Sequence, residues 1–242
     1  MIDYKQTTLY YRQRATSYRR GIRVMSAQRT HDREYMWLHD DAEGDLVGAD
    51  WHQRAITGLY NSLRDVALVA GLPWHIGNQL TLVAWKPDGT PWRPSPDIMV
   101  HPHAGPELRK EMVARDADPP ALIIEVASQS TWEYDVDTTE GKAMGYLALG
   151  VPSYLVFDPT QEYLDGSCCG WQRVGSDARE WRPTPDGRYE DNALGVSFRP
   201  DGDLLRIYDA LGRPVAYEYE KTQEIMELRA RLEQFRHSGP TA

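Results

Sequence analysis

The chain has 242 residues, which is enough for one or two domains with a buried core. Hydrophobic residues make up 41% and charged residues 26%, close to the average of globular proteins, so a fully disordered or collagen-like chain is excluded. The net charge of −9, from 27 basic and 36 acidic residues, argues against a protein that coats nucleic acids with a basic surface.

The N-terminal segment, residues 1–44, carries an uneven charge. Residues 1–33 hold eight basic and two acidic side chains, a net charge of +6, whereas the remainder of the chain carries −15. A basic arm on an acidic body is able to contact phosphate groups locally. A solvated tail, or a translation start upstream of the folded domain, is the alternative interpretation.

The two cysteines and the apolar runs indicate the cellular compartment. Cys168 and Cys169 are adjacent, and neighbouring cysteines rarely pair, so no disulfide framework is expected and a reducing cytoplasm is predicted. No stretch approaches 18 apolar residues, which predicts that the chain does not enter a membrane. The first residues contain no apolar segment typical of a secretory signal.

The first predicted element of the body, which we place at residues 45–160, is a helix over 51–69. Its apolar side chains recur at helical spacing, and Gly71-Leu72-Pro73 ends it. Residues 79–85 alternate between polar and apolar side chains, which predicts a strand followed by a turn at Pro87-Asp88-Gly89. A second strand is predicted over 96–100.

The next three predicted elements form one unit. Residues 121–127 read as a strand, 139–149 as a helix closed by Gly150, and 153–157 as a buried strand. A strand, a crossover helix and a second strand are expected to make a right-handed unit with parallel strands.

A different pattern follows residue 160. Short strands are separated by turn signals, which predicts an antiparallel extension over 161–217; the turns are Asp165-Gly166, Asp186-Gly187 and Asp201-Gly202. Residues 218–236 form a final amphipathic helix. Its apolar seam has the spacing of a short coiled coil and consists of Ile225, Leu228, Leu232 and Phe235.

Glu125 is the most informative residue, because it interrupts a run that otherwise reads as a strand buried on both faces. A buried carboxylate is costly unless it binds a metal ion, pairs with a cation or takes part in chemistry. The alternative is an edge strand in which Glu125 points to water.

Two further residues complete a candidate site. Asp97 opens the strand at 96–100, although Pro96-Asp97 is also compatible with a simple turn. Carboxylates that enter neighbouring strands are able to hold Mg²⁺ through oxygen ligands. Lys142 begins the helix at 139–149, on the same side as Tyr146 and Leu149, so it is expected to face the sheet rather than solvent. A free surface lysine is the alternative.

The order of these residues resembles the Uma family of restriction endonucleases, within the PD-(D/E)XK nuclease superfamily. Similar to that family are the helix start at 51–54, the strand and loop from 119 to 131, and the segments Gly150-Val151 and 154–159, together with Asp97, Glu125, Lys142 and Tyr146. The resemblance spans about residues 45–160, and the segments after 160 resemble an extension that many members carry.

The resemblance implies an α/β fold of the restriction-endonuclease type, a mixed sheet flanked by helices, with Asp97 and Glu125 as metal ligands. The superfamily places a lysine two residues after the glutamate; here that position is Ala127, and Lys142 is implied as the relocated lysine. The aspartates Asp135 and Asp137 are offset from the single aspartate usual before that lysine, so neither receives a role.

Other histidines and acids have weaker signals. His52 is able to face the site from the first helix and orient a water or a phosphate, and a capping or surface role is the alternative. His101-Pro102-His103 is better explained by a surface loop than by a metal site. A glycosidase also uses paired carboxylates, but the lysine-bearing helix would then have no role.

The sequence therefore predicts an endonuclease that uses Mg²⁺, or Mn²⁺ in its place, to hydrolyse DNA. Asp97, Glu125 and the backbone carbonyl of Val126 are expected to hold the ion, and Lys142 to act on the water and the phosphate. A homodimer is expected because a duplex has two strands to cut, with the final helix as a contact. In the alternative, that helix folds back on its own body. The competing hypothesis for function is a catalytically silent assembly protein that keeps the nuclease fold.

Overall fold

The structure is a computed structural model that describes residues 50–86, 89–114, 119–175 and 177–237. The predicted basic N-terminal segment at 1–44 lies outside these residues. Within the described ranges, no helix has both the length and the apolar character needed to cross a bilayer.

The described residues form four helices and twelve strands. The helices are α1 (Asp50–Ala70), α2 (Trp132–Asp135), α3 (Lys142–Leu149) and α4 (Glu218–His237). The first six strands are β1 (His75–Asn78), β2 (Leu82–Trp85), β3 (Pro91–Trp92), β4 (Ile98–His101), β5 (Met112–Val113) and β6 (Leu122–Val126). The last six are β7 (Ser153–Phe157), β8 (Cys168–Val174), β9 (Asp177–Glu180), β10 (Tyr189–Asp191), β11 (Val196–Asp201) and β12 (Leu204–Tyr208).

Most predicted elements match these bounds, and the strand predicted at 79–85 is the main exception. It begins only at Leu82, and β1 lies before it at a position where no strand was predicted. Between the two strands, Gln79 has a positive φ of 49°. That left-handed backbone turns the chain, so β1 and β2 enter different sheets.

The central sheet is mixed, as predicted. Its six strands run in the order β1-β4-β6-β7-β8-β9, with β6 and β7 parallel and every other pair antiparallel. The parallel pair is joined through α3, as the crossover prediction requires. Residues 161–217 contribute β8 and β9 to this sheet, and β10, β11 and β12 form a separate antiparallel sheet.

Both faces of the central sheet are covered. Leu122, Ile124 and Val126 point to α1, which is enclosed between this sheet and the β10–β12 sheet and buries Ala55, Ile56, Leu59, Leu63 and Val66. On β6 the alternate residue Ile123 faces the other side, where it packs with α3 and with strands β2, β3 and β5. Helices therefore approach the end of β6 from both faces.

His75 makes stability depend on pH. It is buried beside its cross-strand partner His101, and burial, followed by the nearby Arg109, lowers the pKa of its imidazole. The unfolded chain, with an ordinary imidazole pKa of about 6.5, therefore takes up a proton before the folded protein does. We expect the free energy of unfolding to decrease as the pH falls from about 7 to about 5.5. Urea titrations measure this decrease, which should be smaller in His75→Gln.

The matched control is His103→Gln, because the side chain of His103 is exposed. This variant should keep the pH dependence of the wild type. If His75→Gln and the wild type lose the same stability over this interval, the contribution of His75 is absent.

Candidate active site

Glu125 lies on an inner strand of the central sheet. Its strand, β6, is flanked by β4 and β7, and the side chain is only 2% exposed. The alternative of an edge strand with Glu125 in water is therefore wrong. A carboxylate in this position must be stabilised by the groups around it.

Asp97 is held directly beside Glu125. The residue immediately precedes β4, and because β4 and β6 are antiparallel, the start of one strand lies next to the end of the other. The backbone N–H of Asp97 donates to Glu125 Oε2 at 3.3 Å, and the N–H of Val126 donates to Asp97 Oδ2 at 2.9 Å. Asp97 is buried, so it is more than a solvated turn residue.

Lys142 supplies the positive charge of the site. Its Nζ lies 3.3 Å from Glu125 Oε1 and 3.0 Å from Asp135 Oδ1, and the side chain is buried. The alternative of a free surface lysine is therefore wrong. Gly141 permits this placement, because a Cβ there would lie 2.3 Å from the carbonyl oxygen of Tyr134, across the close approach between α2 and α3.

Asp135 is the residue of the site to which the sequence assigned no role. It is buried at the end of α2, and Thr131 Oγ1 donates to its Oδ2 at 2.8 Å. The hydroxyl of Tyr154 donates to its backbone oxygen at 2.8 Å. Asp137, by contrast, accepts from the N–H of Thr139 in the loop before α3. In the sequence, only the presence of two aspartates before Lys142 indicated a further acid at this site. No local feature distinguished Asp135 from Asp137.

Tyr146 adds a neutral donor. Its hydroxyl donates to Glu125 Oε1 at 3.0 Å from the second turn of α3. The ring is fully buried, with centroids 4.9 Å from Trp92 and 5.3 Å from Tyr154. Packing on both sides fixes the direction of the hydroxyl, so Glu125 keeps one orientation.

The pKa values of the buried carboxylates are raised by their surroundings. Burial raises the pKa of Glu125 well above its usual range; Lys142 opposes this shift, and Asp97 and Asp135 add to it. Burial likewise raises the pKa of Asp135, again against the effect of Lys142. A single ammonium therefore compensates three neighbouring carboxylates only in part.

His52 approaches the site from the opposite face of the sheet. Its side chain is 13% exposed, and Nε2 lies 3.1 Å from the carbonyl oxygen of Val126 and 3.7 Å from Asp97 Oδ2. The interpretation of His52 as a surface residue is therefore wrong. With a proton on Nε2, the imidazole donates to the carbonyl that the sequence predicts as a metal ligand.

The donor set fits Mg²⁺. Asp97, Glu125 and the Val126 carbonyl offer hard oxygen atoms, and the excess negative charge around Lys142 favours a cation. Among the described residues, no group of three or more His, Cys, Asp or Glu side chains is arranged to hold a metal, and this includes His101 and His103. Mg²⁺ commonly uses only one or two carboxylates and keeps several waters, so two suffice.

The central mixed sheet, with two carboxylates at adjoining strand ends and a lysine on the crossover helix, defines a restriction-endonuclease-like fold. The sequence model of the Uma2 family, described as "Putative restriction endonuclease", matches residues 37–190, and the chain belongs to this family. The match confirms the predicted resemblance and continues past residue 160 through β8 and β9. A search of curated proteins gave no significant match.

The charge imbalance predicts opposite effects of two substitutions on stability. Lys142→Met leaves three carboxylates without their ammonium, so the free energy of unfolding should fall by about 3–5 kcal/mol, the cost of breaking a buried ion pair. Glu125→Gln removes one of the competing negative charges, so without divalent cations its melting temperature should be at least that of the wild type. Thermal and chemical denaturation in EDTA measure both.

Lys110→Met is the control, because Lys110 is exposed on a loop, and its stability should equal that of the wild type. Equal stability of Lys142→Met and Lys110→Met would contradict a compensating role for Lys142.

Proposed function

We propose that this protein is a Mg²⁺-dependent endonuclease that hydrolyses phosphodiester bonds of duplex DNA. One observation carries the proposal: Glu125, on the central strand, lies beside Asp97 and 3.3 Å from the ammonium of Lys142. Membership of a family described as restriction endonucleases supports a nuclease. The excess of buried negative charge supports binding of a cation.

Each residue has a distinct task in this proposal. Asp97, Glu125 and the Val126 carbonyl would hold the cation, which when bound would stabilise charge on the scissile phosphate and make a water more acidic. Lys142 positions or deprotonates the attacking water and neutralises charge that develops on the phosphate. Asp135 holds the lysine through a second ion pair, at 3.0 Å.

His52 is a positioning residue in this proposal. Its Nε2 lies 3.1 Å from the carbonyl oxygen of Val126 and donates to it when that nitrogen carries the proton. A hydrogen-bond donor behind a ligand of this kind tunes the geometry of a metal site.

We place the enzyme in a reducing cytoplasm. Both cysteines are free, and burial raises the pKa of Cys168 and Cys169, the latter to about 12. Unpaired cysteines are typical of a reducing compartment, in which disulfides are rare.

A catalytically silent assembly protein is the second candidate. It is favoured by the internal saturation of the site, where Asp97 Oδ2 already accepts from Val126 and Lys142 already pairs with two carboxylates. A scaffold of this kind needs no divalent cation. Metal binding therefore separates the two candidates.

Glu125→Gln should abolish divalent-dependent cleavage of duplex DNA, because the amide removes the negative charge that holds the cation. It should also eliminate the heat of Mn²⁺ binding in calorimetry of the full chain. Supercoiled plasmid, with Mg²⁺ or Mn²⁺, measures cleavage, and single-stranded DNA and RNA are tested in parallel.

The matched control is Glu162→Gln, because Glu162 is an exposed carboxylate on the loop after β7. This variant should cleave and bind Mn²⁺ like the wild type. Unchanged cleavage by Glu125→Gln would reject the assigned site. A wild type that neither binds Mn²⁺ nor cleaves any of the nucleic acids would instead support the silent scaffold.

Lys142→Ala should lower the cleavage rate by about tenfold to a hundredfold, the lower range for one acid–base or electrostatic group. Lys142→Arg should not restore the rate, because a guanidinium does not release a proton at ordinary pH. Single-turnover cleavage at saturating protein measures this step, with Lys110→Ala as the control. Full activity of Lys142→Arg would show that the residue contributes only charge.

A further inference from the structure

Gln79 contacts the candidate active site through Asp97. Gln79 follows β1 and Asp97 precedes β4, and because these two strands are antiparallel partners, the two residues lie side by side. The backbone N–H of Gln79 donates to the carbonyl oxygen of Asp97 at 3.1 Å, and its side-chain Nε2 donates to Asp97 Oδ1 at 3.4 Å. Gln79 is exposed whereas Asp97 is buried, so the amide reaches the carboxylate from the solvent side.

The backbone of Gln79 has a conformation that glutamine rarely adopts. Among the described residues, Gln79 and Gln161 are the two non-glycine residues with a positive φ, at 49° and 56°. Glycine makes a left-handed turn without this cost, and asparagine makes it more easily than most residues. The turn between β1 and β2 therefore does not by itself require a glutamine. Unfavourable backbone conformations of this kind cluster at functional sites, where the surrounding structure holds them.

The segment after Gln79 is fastened to the segment that leads into β4. The hydroxyls of Thr81 and Ser95 lie 3.3 Å apart, within hydrogen-bond distance. The backbone N–H of Leu82 donates to the carbonyl oxygen of Pro94 at 2.8 Å. Together with the backbone hydrogen bond of Gln79, these contacts hold the two segments side by side, so the position of Gln79 relative to β4 is set by the main chain.

The carboxylate of Asp97 accepts a hydrogen bond on each oxygen. Oδ2 accepts from the backbone N–H of Val126 at 2.9 Å, and Oδ1 accepts from Gln79. A carboxylate held through one oxygen is able to rotate about its Cβ–Cγ bond, whereas donors on both oxygens fix its plane. Both donors are neutral, so they leave the negative charge in place. Each oxygen also keeps a free lone pair for a further ligand.

We propose that Gln79 is a positioning residue for the cation, because it fixes the plane of the Asp97 carboxylate. This inference rests on the proposed function, since it concerns the cation that Asp97 would hold. Loss of a hydrogen-bond partner of a metal ligand typically weakens metal binding by about tenfold to a hundredfold. We expect the lower end of this range, about tenfold, because a hydrogen bond of 3.4 Å is long.

Gln79→Asn tests this role. Asparagine keeps the amide group and adopts a left-handed backbone more readily than glutamine, but its side chain is one methylene shorter and does not reach Asp97 Oδ1. Calorimetry of the full chain should show about tenfold weaker binding of Mn²⁺. The melting temperature without divalent cations should not fall below that of the wild type, and a fixed concentration of Mn²⁺ should raise it less. Cleavage of plasmid DNA should need about tenfold more Mg²⁺ to reach half of its maximal rate.

Gln161→Asn is the matched control. Gln161 is also exposed and has the same left-handed backbone, but it lies on the loop after β7, where its N–H donates to Asp158 and not to a residue of the site. This variant should bind Mn²⁺ like the wild type.

Three results would overturn the positioning role. Equal Mn²⁺ affinity of Gln79→Asn and the wild type would reject it and leave the proposed function standing. An equal loss of affinity in Gln79→Asn and Gln161→Asn would also reject it, because the effect would then belong to left-handed turns in general and not to the contact with Asp97. A wild type that does not bind Mn²⁺ would reject the proposed function, and the role of Gln79 with it.

Discussion

The compensation of three buried carboxylates by one lysine is the constraint on which the centre of this protein depends. Lys142 forms ion pairs with Glu125 and Asp135. Asp97 joins the same cluster because its backbone N–H donates a hydrogen bond to Glu125. An ammonium that stays close to two carboxylates reduces their desolvation cost but leaves net negative charge. The site therefore keeps net negative charge, and its stability depends on the position of a single side chain.

The sheet topology produces that position. The antiparallel neighbour β4 starts beside the end of β6. The parallel neighbour β7 requires a crossover connection, and this connection leaves β6 at the same end. The crossover contains α3, which carries both Lys142 and Tyr146. The packing of this helix is tight, since a Cβ on Gly145 would lie 2.6 Å from the ring of Trp92. This close packing limits movement of the helix that carries the lysine.

The chain after β7 has two roles in this arrangement. Strands β8 and β9 widen the central sheet and cover its edge, whereas the β10–β12 sheet encloses α1, the helix that presents His52 to the site. The following helix, α4, is fastened through Arg206, whose guanidinium also stacks 3.7 Å from the ring centroid of Tyr217. The first turn of α4 is therefore tied to the β10–β12 sheet through the Arg206–Glu220 ion pair.

The sequence alone determined the features that depend on local pattern. Helical spacing identified α1, the apolar runs identified β6 and β7, and Glu125 was recognised because a charged residue in such a run is costly. Lys142 was placed towards the sheet because Tyr146 lies one turn further on the same side. Only the tertiary structure decided that Asp135 and not Asp137 pairs with this lysine, that His52 meets Val126 and that β8 joins the central sheet. These features depend on which distant segments come together, and local periodicity does not contain that information, because it reports the face of an element and not its neighbour.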